Sequence, residues 1–210
     1  MTTVSRSRFG LGWLLACLTL GSTALADDAA DARLVTTLRN GGYVLALRHA
    51  HAPRQVPAAT AENPAPERQL DDAGRTSAAA MGEALRALGV PIGATLTSPT
   101  LRARETAVQL GFAAEAIDEL GDGGRDMLPD AEGRRSARLR ELASTPPAPH
   151  TNALLITHAP NLTGAFGDAA AGMADGEALV LEPRGGEPPA VVARVTIEQW
   201  PVIARRLAAE

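Results

Sequence analysis

The chain has 210 residues, a formal charge of −4 at neutral pH, 3% aromatic residues and a single cysteine, Cys17. Its acidity and shortage of stacking side chains exclude the electrostatic footprint of a nucleic-acid binder, and one cysteine excludes a disulfide framework. Lysine is absent and all 20 cationic side chains are arginine, which rules out a P-loop lysine, a Schiff base and a lysine general base. The planar arginine fork remains for an anionic substrate.

Arg6 and Arg8 precede an apolar run, Phe9 to Leu20, and Ala24-Leu25-Ala26 then supplies the small-x-small pattern of a signal-peptidase site. The expectation is a signal peptide over 1–26 and one domain over 27–210, periplasmic or secreted. The apolar run is short for a bilayer and is followed by Asp27 and Asp28, so no stable membrane span is expected. Leu14-Leu15-Ala16-Cys17 resembles a lipobox, which makes a lipid anchor through Cys17 the alternative. Loss of Arg6 and Arg8 with the signal takes the charge from −4 to −6.

An amphipathic helix is expected over 31–38, stopped by Asn40-Gly41-Gly42. Tyr43 to Leu47 follows as a strand with no polar alternation, the pattern of a strand covered on both faces. Residues 52–69, rich in Pro, Ala and Glu, read as a loop over the site. Asp71 or Asp72 caps a helix over 73–88 whose apolar stripe is Ala80, Met81, Ala84, Leu85 and Leu88. A second strand, 94–97, leads within four residues into a helix over about 101–110. Residues 112–133 are weakly patterned, and a helix is expected over 134–143. The third strand ends at His158, and 161–171 reads as helix. Two strands, 177–182 and 190–195, joined by a turn at Arg184-Gly185-Gly186, belong at the sheet edge, and a last helix covers 197–209. The alternation of strands and helices predicts one α/β domain, a three-layer α/β/α sandwich around a mostly parallel sheet.

Two strands thus stop on histidine, at Arg48-His49-Ala50 and Thr157-His158-Ala159, and a third opens into Ser98-Pro99-Thr100-Leu101-Arg102. The carboxyl ends of strands are where an open α/β sheet presents groups to a ligand, so two imidazoles and two guanidinia can converge. In order and spacing these segments resemble the histidine phosphatase superfamily, the phosphoglycerate-mutase-like fold. Leu70-Asp71-Asp72-Ala73-Gly74-Arg75, Gly82 to Gly89, and Gly176-Glu177-Ala178-Leu179-Val180-Leu181-Glu182-Pro183 extend the resemblance over most of the chain from Gly41 to about Trp200.

The resemblance implies that His49 is the nucleophile, with Arg48, Arg102 and His158 as phosphate-binding residues, and that the partner is a small phosphorylated substrate. Independently of it, a neutral imidazole can attack phosphorus in line, and two arginines and a second histidine can spread over the equatorial oxygens. Nearby cations should depress the His49 pKa, and a helix N-terminus near Leu101 should add backbone N–H groups. The mechanism needs no metal and no cofactor. Ala50 and Ala159 stand where glycine is more usual in the family. No acid is marked unambiguously as proton donor: Glu119 lies about where one branch of the family keeps its glutamate, and Glu177 is another possibility. A phosphohistidine substrate, whose leaving group needs less help, does without a strong acid. The reading is an exported, metal-independent phosphatase acting on phosphomonoesters or a related phosphorylated compound. The alternatives are a catalytically silent phosphate-binding protein and a metal-dependent hydrolase using His49 and His51.

His150, in a Pro-rich connector, reads as structural or exposed, and His51 as peripheral or substrate-contacting. Arg75 and Arg104 read as helix-surface residues, and Arg134, Arg135, Arg138 and Arg140 as a solvated basic face. Asn161 is either a helix cap or a site residue. The natural substrate and the oligomeric state leave no mark in the sequence.

Overall fold

The computed structural model describes residues 20–54, 67–122 and 131–209. Cys17, most of the expected signal peptide, the middle of the 52–69 loop and residues 123–130 lie outside the described residues. Six strands, β1 (Val44–Arg48), β2 (Ile92–Thr97), β3 (Glu115–Ala116), β4 (Asn152–Thr157), β5 (Ala178–Arg184) and β6 (Glu187–Val195), form one sheet in the order β3-β2-β4-β1-β5-β6. The β3-β2, β2-β4 and β4-β1 pairs are parallel, and β1-β5 and β5-β6 are antiparallel. The helices are α1 (Leu20–Arg39), α2 (Asp72–Ala87), α3 (Leu101–Leu110), α4 (Ala131–Ser144), α5 (Ala159–Phe166) and α6 (Gln199–Leu207).

Side chains of a strand alternate between the two faces of its sheet, and here both faces are apolar. On β1, Leu45 and Leu47 join one core cluster while Val44 and Ala46 join the other. On β5, Ala178 and Val180 face the first and Leu179 and Leu181 the second. Residues of α1, α2, α3 and α6 pack into the first cluster, and those of α4 and α5 into the second. This is the expected three-layer sandwich, and it explains why the central strands read as unbroken apolar runs.

Three expectations change. β3 is a two-residue strand against β2, inside the segment read as unpatterned. Of the last two strands only β6 is at the edge, because β5 inserts beside β1. The first helix begins by Leu20 rather than near Asp31. Among the described residues no helix is long and apolar enough to cross a membrane.

α2 begins as expected on Asp71, whose carboxylate accepts from the Gly74 N–H at 2.8 Å. Met81, Ala84, Leu85 and Leu88 are buried; Ala80 is only half-buried, and Ala78 is buried in full. Where α2 crosses α3, a Cβ on Gly82 would lie 2.1 Å from the Leu110 carbonyl oxygen. That oxygen is main chain and cannot swing away. Gly82→Ala is expected to force the helices apart and cost about 1–3 kcal/mol, visible as a lower midpoint in urea unfolding. An unchanged midpoint would show that the contact yields freely.

Candidate active site

Three parallel strands end side by side. Arg48 is in register with Thr157, and Thr97 with Ile156. The ladder runs one residue further: His49 N–H donates to the Thr157 carbonyl at 3.1 Å, and Ser98 N–H to the Ile156 carbonyl at 2.9 Å. His49, His158 and Ser98 therefore leave the sheet at one level. The two imidazole centroids are 5.3 Å apart in an edge arrangement, and the residues are each 3% exposed.

Arg102, in the first turn of α3, ties the histidines together. Its Nε–H donates to His49 Nε2 at 3.1 Å, and its Nη2 to His158 Nδ1 at 3.2 Å. His49 Nδ1 is 2.8 Å from the Ala50 carbonyl, which only accepts, so Nδ1 carries the proton and Nε2 the lone pair. By the same reasoning His158 accepts on Nδ1 and donates from Nε2 to Ser98 Oγ at 2.8 Å. Thr106 fixes the loop beyond His49, accepting from the Ala50 N–H at 3.0 Å while donating to the Arg102 carbonyl at 2.7 Å.

The His49 pKa falls from 6.5 to about 4. Burial is the larger cause; the Ala50 bond opposes it, and Arg102 lowers the pKa further. The lowering by cations that the sequence predicts is present, and burial at the apolar strand end does more. His158 is also driven well below its ordinary range, first by burial and then by Arg102. Both rings are neutral at pH 7.

Arg48, the remaining expected phosphate ligand, pairs through Nη2 with Asp175 Oδ1 at 2.7 Å, and its Nη1 donates to the Met173 carbonyl at 2.5 Å. Arg102 meets Asp122 through Nη2. The Leu101 N–H, expected to join the cradle, donates to the Glu67 carboxylate. Each is therefore engaged by a carboxylate of the chain itself.

Glu119 is exposed on a single 3-10 turn, Asp118–Leu120. The carboxylate that reaches Arg102 is instead Asp122, three residues on. Glu177 accepts from the Ala174 N–H at 2.7 Å and from Arg194 Nη2 at 2.9 Å, and the Arg194 bonds hold its pKa below the ordinary carboxylate range. It has no proton to give at neutral pH. Asn161 is not the cap of α5, a place His158 takes: its buried amide donates to the Gly121 carbonyl at 2.8 Å and to Thr157 Oγ1 at 2.9 Å, tying α5 to the turn that carries Glu119 and leads to Asp122.

His51 is exposed, with Nδ1 3.6 Å from Asp71 Oδ2, and His150 is exposed at the turn before β4. Arg75 pairs with Asp72 and Glu105 on the surface as expected. Arg140 departs from the solvated basic face by donating to the Ala165 and Gly164 carbonyls. Among the described residues no group of three or more His, Cys, Asp or Glu side chains is placed to hold a metal ion.

The sequence reading missed Ser98 and Asp122, and it missed Arg68. The Arg68 guanidinium donates through Nε to the Ala52 carbonyl at 2.9 Å, and its pKa is lowered, first by burial and then by Arg102. It therefore stands within electrostatic reach of the site. Its one sequence signal was an arginine just ahead of Leu70-Asp71-Asp72.

A buried imidazole with an unprotonated Nε2 that accepts from Arg102, at the ends of parallel strands, marks the candidate site of this α/β protein. The sequence matches the family model described as histidine phosphatase superfamily, branch 1, over residues 44–120. The fold resembles the protein histidine phosphatase SixA complexed with tungstate, at 21% identity, over 75% of this chain and 98% of that one, with a TM-score of 0.56. It also resembles a protein from Agrobacterium tumefaciens assigned as phosphohistidine phosphatase SixA (18% identity, 74% and 98% coverage, TM-score 0.53). A third likeness is to the open reading frame Rv3214 product of Mycobacterium tuberculosis (17%, 72% and 96%, TM-score 0.51). No curated protein sequence matches this chain. Residues 44–120 are thus similar to the histidine phosphatase superfamily, and the fold is that of the histidine phosphatase structures.

Proposed function

We propose that this protein is an exported, metal-independent phosphatase that forms a phosphohistidine on His49. The observation that carries this reading is the His49 ring itself. Its Nδ1 proton is committed to Ala50, leaving an unprotonated Nε2 beside the Arg102 guanidinium. As phosphorus approaches, the Arg102 Nε–H transfers its hydrogen bond from Nε2 to a phosphoryl oxygen. The Nε2–P bond forms while the bond from phosphorus to the leaving group breaks, and the leaving group takes up a proton from solvent water. Water then attacks phosphorus, the Nε2–P bond breaks, and inorganic phosphate departs. Arg48, Arg102 and Arg68 balance the charge on the equatorial oxygens, with the neutral His158 ring holding Arg102 in place.

The state of the carboxylates favours a substrate whose leaving group needs little protonation. Asp122, Asp175 and Glu177 are each paired with an arginine, and Glu119 is exposed. A phosphohistidine or an aryl phosphate meets that condition better than an alkyl phosphate, and the two SixA structures are of proteins named for phosphohistidine chemistry. Export rests on the leader over 1–26. Asp28 and Asp31 ion-pair with Arg206 of α6, so a chain starting at Asp27 keeps this anchorage and places acidic residues in its first helical turn, where the helix dipole favours them.

The test is to mix the protein with phosphoramidate or an aryl phosphate, quench in base and locate the phosphoryl group. A base-stable, acid-labile adduct on residue 49, formed equally with a chelator present, is expected. Turnover lost on chelation would replace this reading with the metal-dependent one, and no turnover of either compound would leave a silent phosphate-binding protein. Periplasmic material whose first residue is not Asp27 would overturn the assigned cleavage site.

A further inference from the structure

Arg48 is held by a turn that comes from the far end of the chain. Residues 171–177 connect the end of α5 to β5 and bind to the last residues of β1. The Arg48 N–H donates to the Glu177 carbonyl at 3.0 Å, and the Gly176 N–H is shared between the carbonyls of Arg48, at 3.1 Å, and His49, at 3.0 Å. That sharing requires the left-handed backbone of Gly176, with φ +74°, where a Cβ would also lie 2.5 Å from Ile197 Cδ1. The turn is braced from outside. Glu177 accepts from Ala174 N–H and from Arg194 of β6, and Arg194 Nη1 reaches back to the Ala171 carbonyl at 2.9 Å.

From this braced turn the Met173 carbonyl accepts from Arg48 Nη1, and Asp175 Oδ1 lies 2.7 Å from Nη2 as an ion pair that lacks hydrogen-bond geometry. The Arg48 Nε is buried and has no partner among the described residues. Four bonds on a long side chain are rotatable, and burying a charged group with an unmet donor is costly unless its geometry is imposed. Arg48 does not choose this arrangement by its own preference; the turn imposes it.

We propose that Asp175 is the positioning residue of Arg48. With Met173, and backed by Glu177 and Arg194, it fixes the guanidinium plane so that the hydrogens left over are presented to a phosphoryl oxygen beside His49. Asp175 acts through Arg48 and does not touch the substrate. A carboxylate near an anion site weakens ground-state binding, so its benefit appears in the rate of phosphoryl transfer rather than in affinity. The inference rests on the phosphoryl-transfer reading of the site.

The test is a double-mutant cycle on the full chain between Asp175→Ala and Arg48→Ala, with phosphoenzyme formation from phosphoramidate and calorimetric binding of inorganic phosphate as separate readouts. Asp175→Ala is expected to slow phosphoryl transfer at least tenfold while KM stays level or falls. Arg48→Ala in that background is expected to cost less than a third of what it costs alone, in rate and in phosphate affinity. Asp175→Asn, which keeps the size of the side chain but removes its charge and so breaks the ion pair, is expected to recover little of the rate, and thermal melting checks that each variant is folded. A rate within twofold of wild type for Asp175→Ala, or effects that multiply independently, overturns the proposal. Independent effects with intact turnover overturn it alone. Coupled effects on phosphate binding without any turnover overturn the phosphatase reading while leaving the positioning role standing, and a wild-type protein that neither turns over nor binds phosphate overturns both.

Discussion

His49→Ala is expected to lower turnover of an aryl phosphate by on the order of 10⁴-fold or more, because it removes the atom on which the intermediate forms. The neighbouring guanidinia would still bind an oxyanion, so phosphate affinity should change far less than rate. The wild-type pH profile carries the same argument. With a His49 pKa of about 4, the nucleophile stays unprotonated down to mildly acidic conditions. On lowering the pH, kcat/KM should hold from 7 to about 5 and then fall as Nε2 protonates near 4. An acid limb centred near 6.5, the ordinary histidine value, would show that His49 is not the buried, neutral base described here.

Arg102→Ala is expected to cost about 10³-fold in kcat/KM, the lower end of what an arginine contributes to phosphoryl transfer. One side chain performs three tasks: it meets His49 Nε2, it meets His158 Nδ1, and it supplies positive charge where the phosphoryl oxygens arrive. Its loss also breaks the ion pair with Asp122. Lysine has a point charge and cannot span two ring nitrogens, so Arg102→Lys should recover only a small part of the loss. The acid limb should move upward in Arg102→Ala and less in Arg102→Lys, which keeps the charge, since Arg102 is one of the groups that lower the His49 pKa. A variant with wild-type rate and an unmoved limb would remove Arg102 from the site.

The elements that carry these residues were legible because their signals are local. Val44 to Leu47 and Ala153 to Ile156 are apolar on both faces, and each histidine follows two residues later in the chain. Arg102 was legible for the same reason, lying at the opening of a helix that starts four residues after a strand. The proton donor was less legible. A carboxylate's role depends on what it faces, and the sequence placed Glu119 near the site without showing that its side chain is exposed while Asp122 is the residue that reaches Arg102.

Read alone, the chain determined the α/β class, the three strand ends, the pair of histidines and the arginines beside them, all of which follow from hydrophobic runs and immediate neighbours in sequence. Only the tertiary structure decided that β5 lies antiparallel against β1 and carries the Asp175 turn to Arg48. It also decided that His49 is protonated on Nδ1 and that burial, more than charge, lowers its pKa. The physical reason is one of range. Periodicity reports which way a backbone runs and which face it buries, whereas a hydrogen bond, an ion pair or a desolvated ring depends on strand register between segments more than a hundred residues apart.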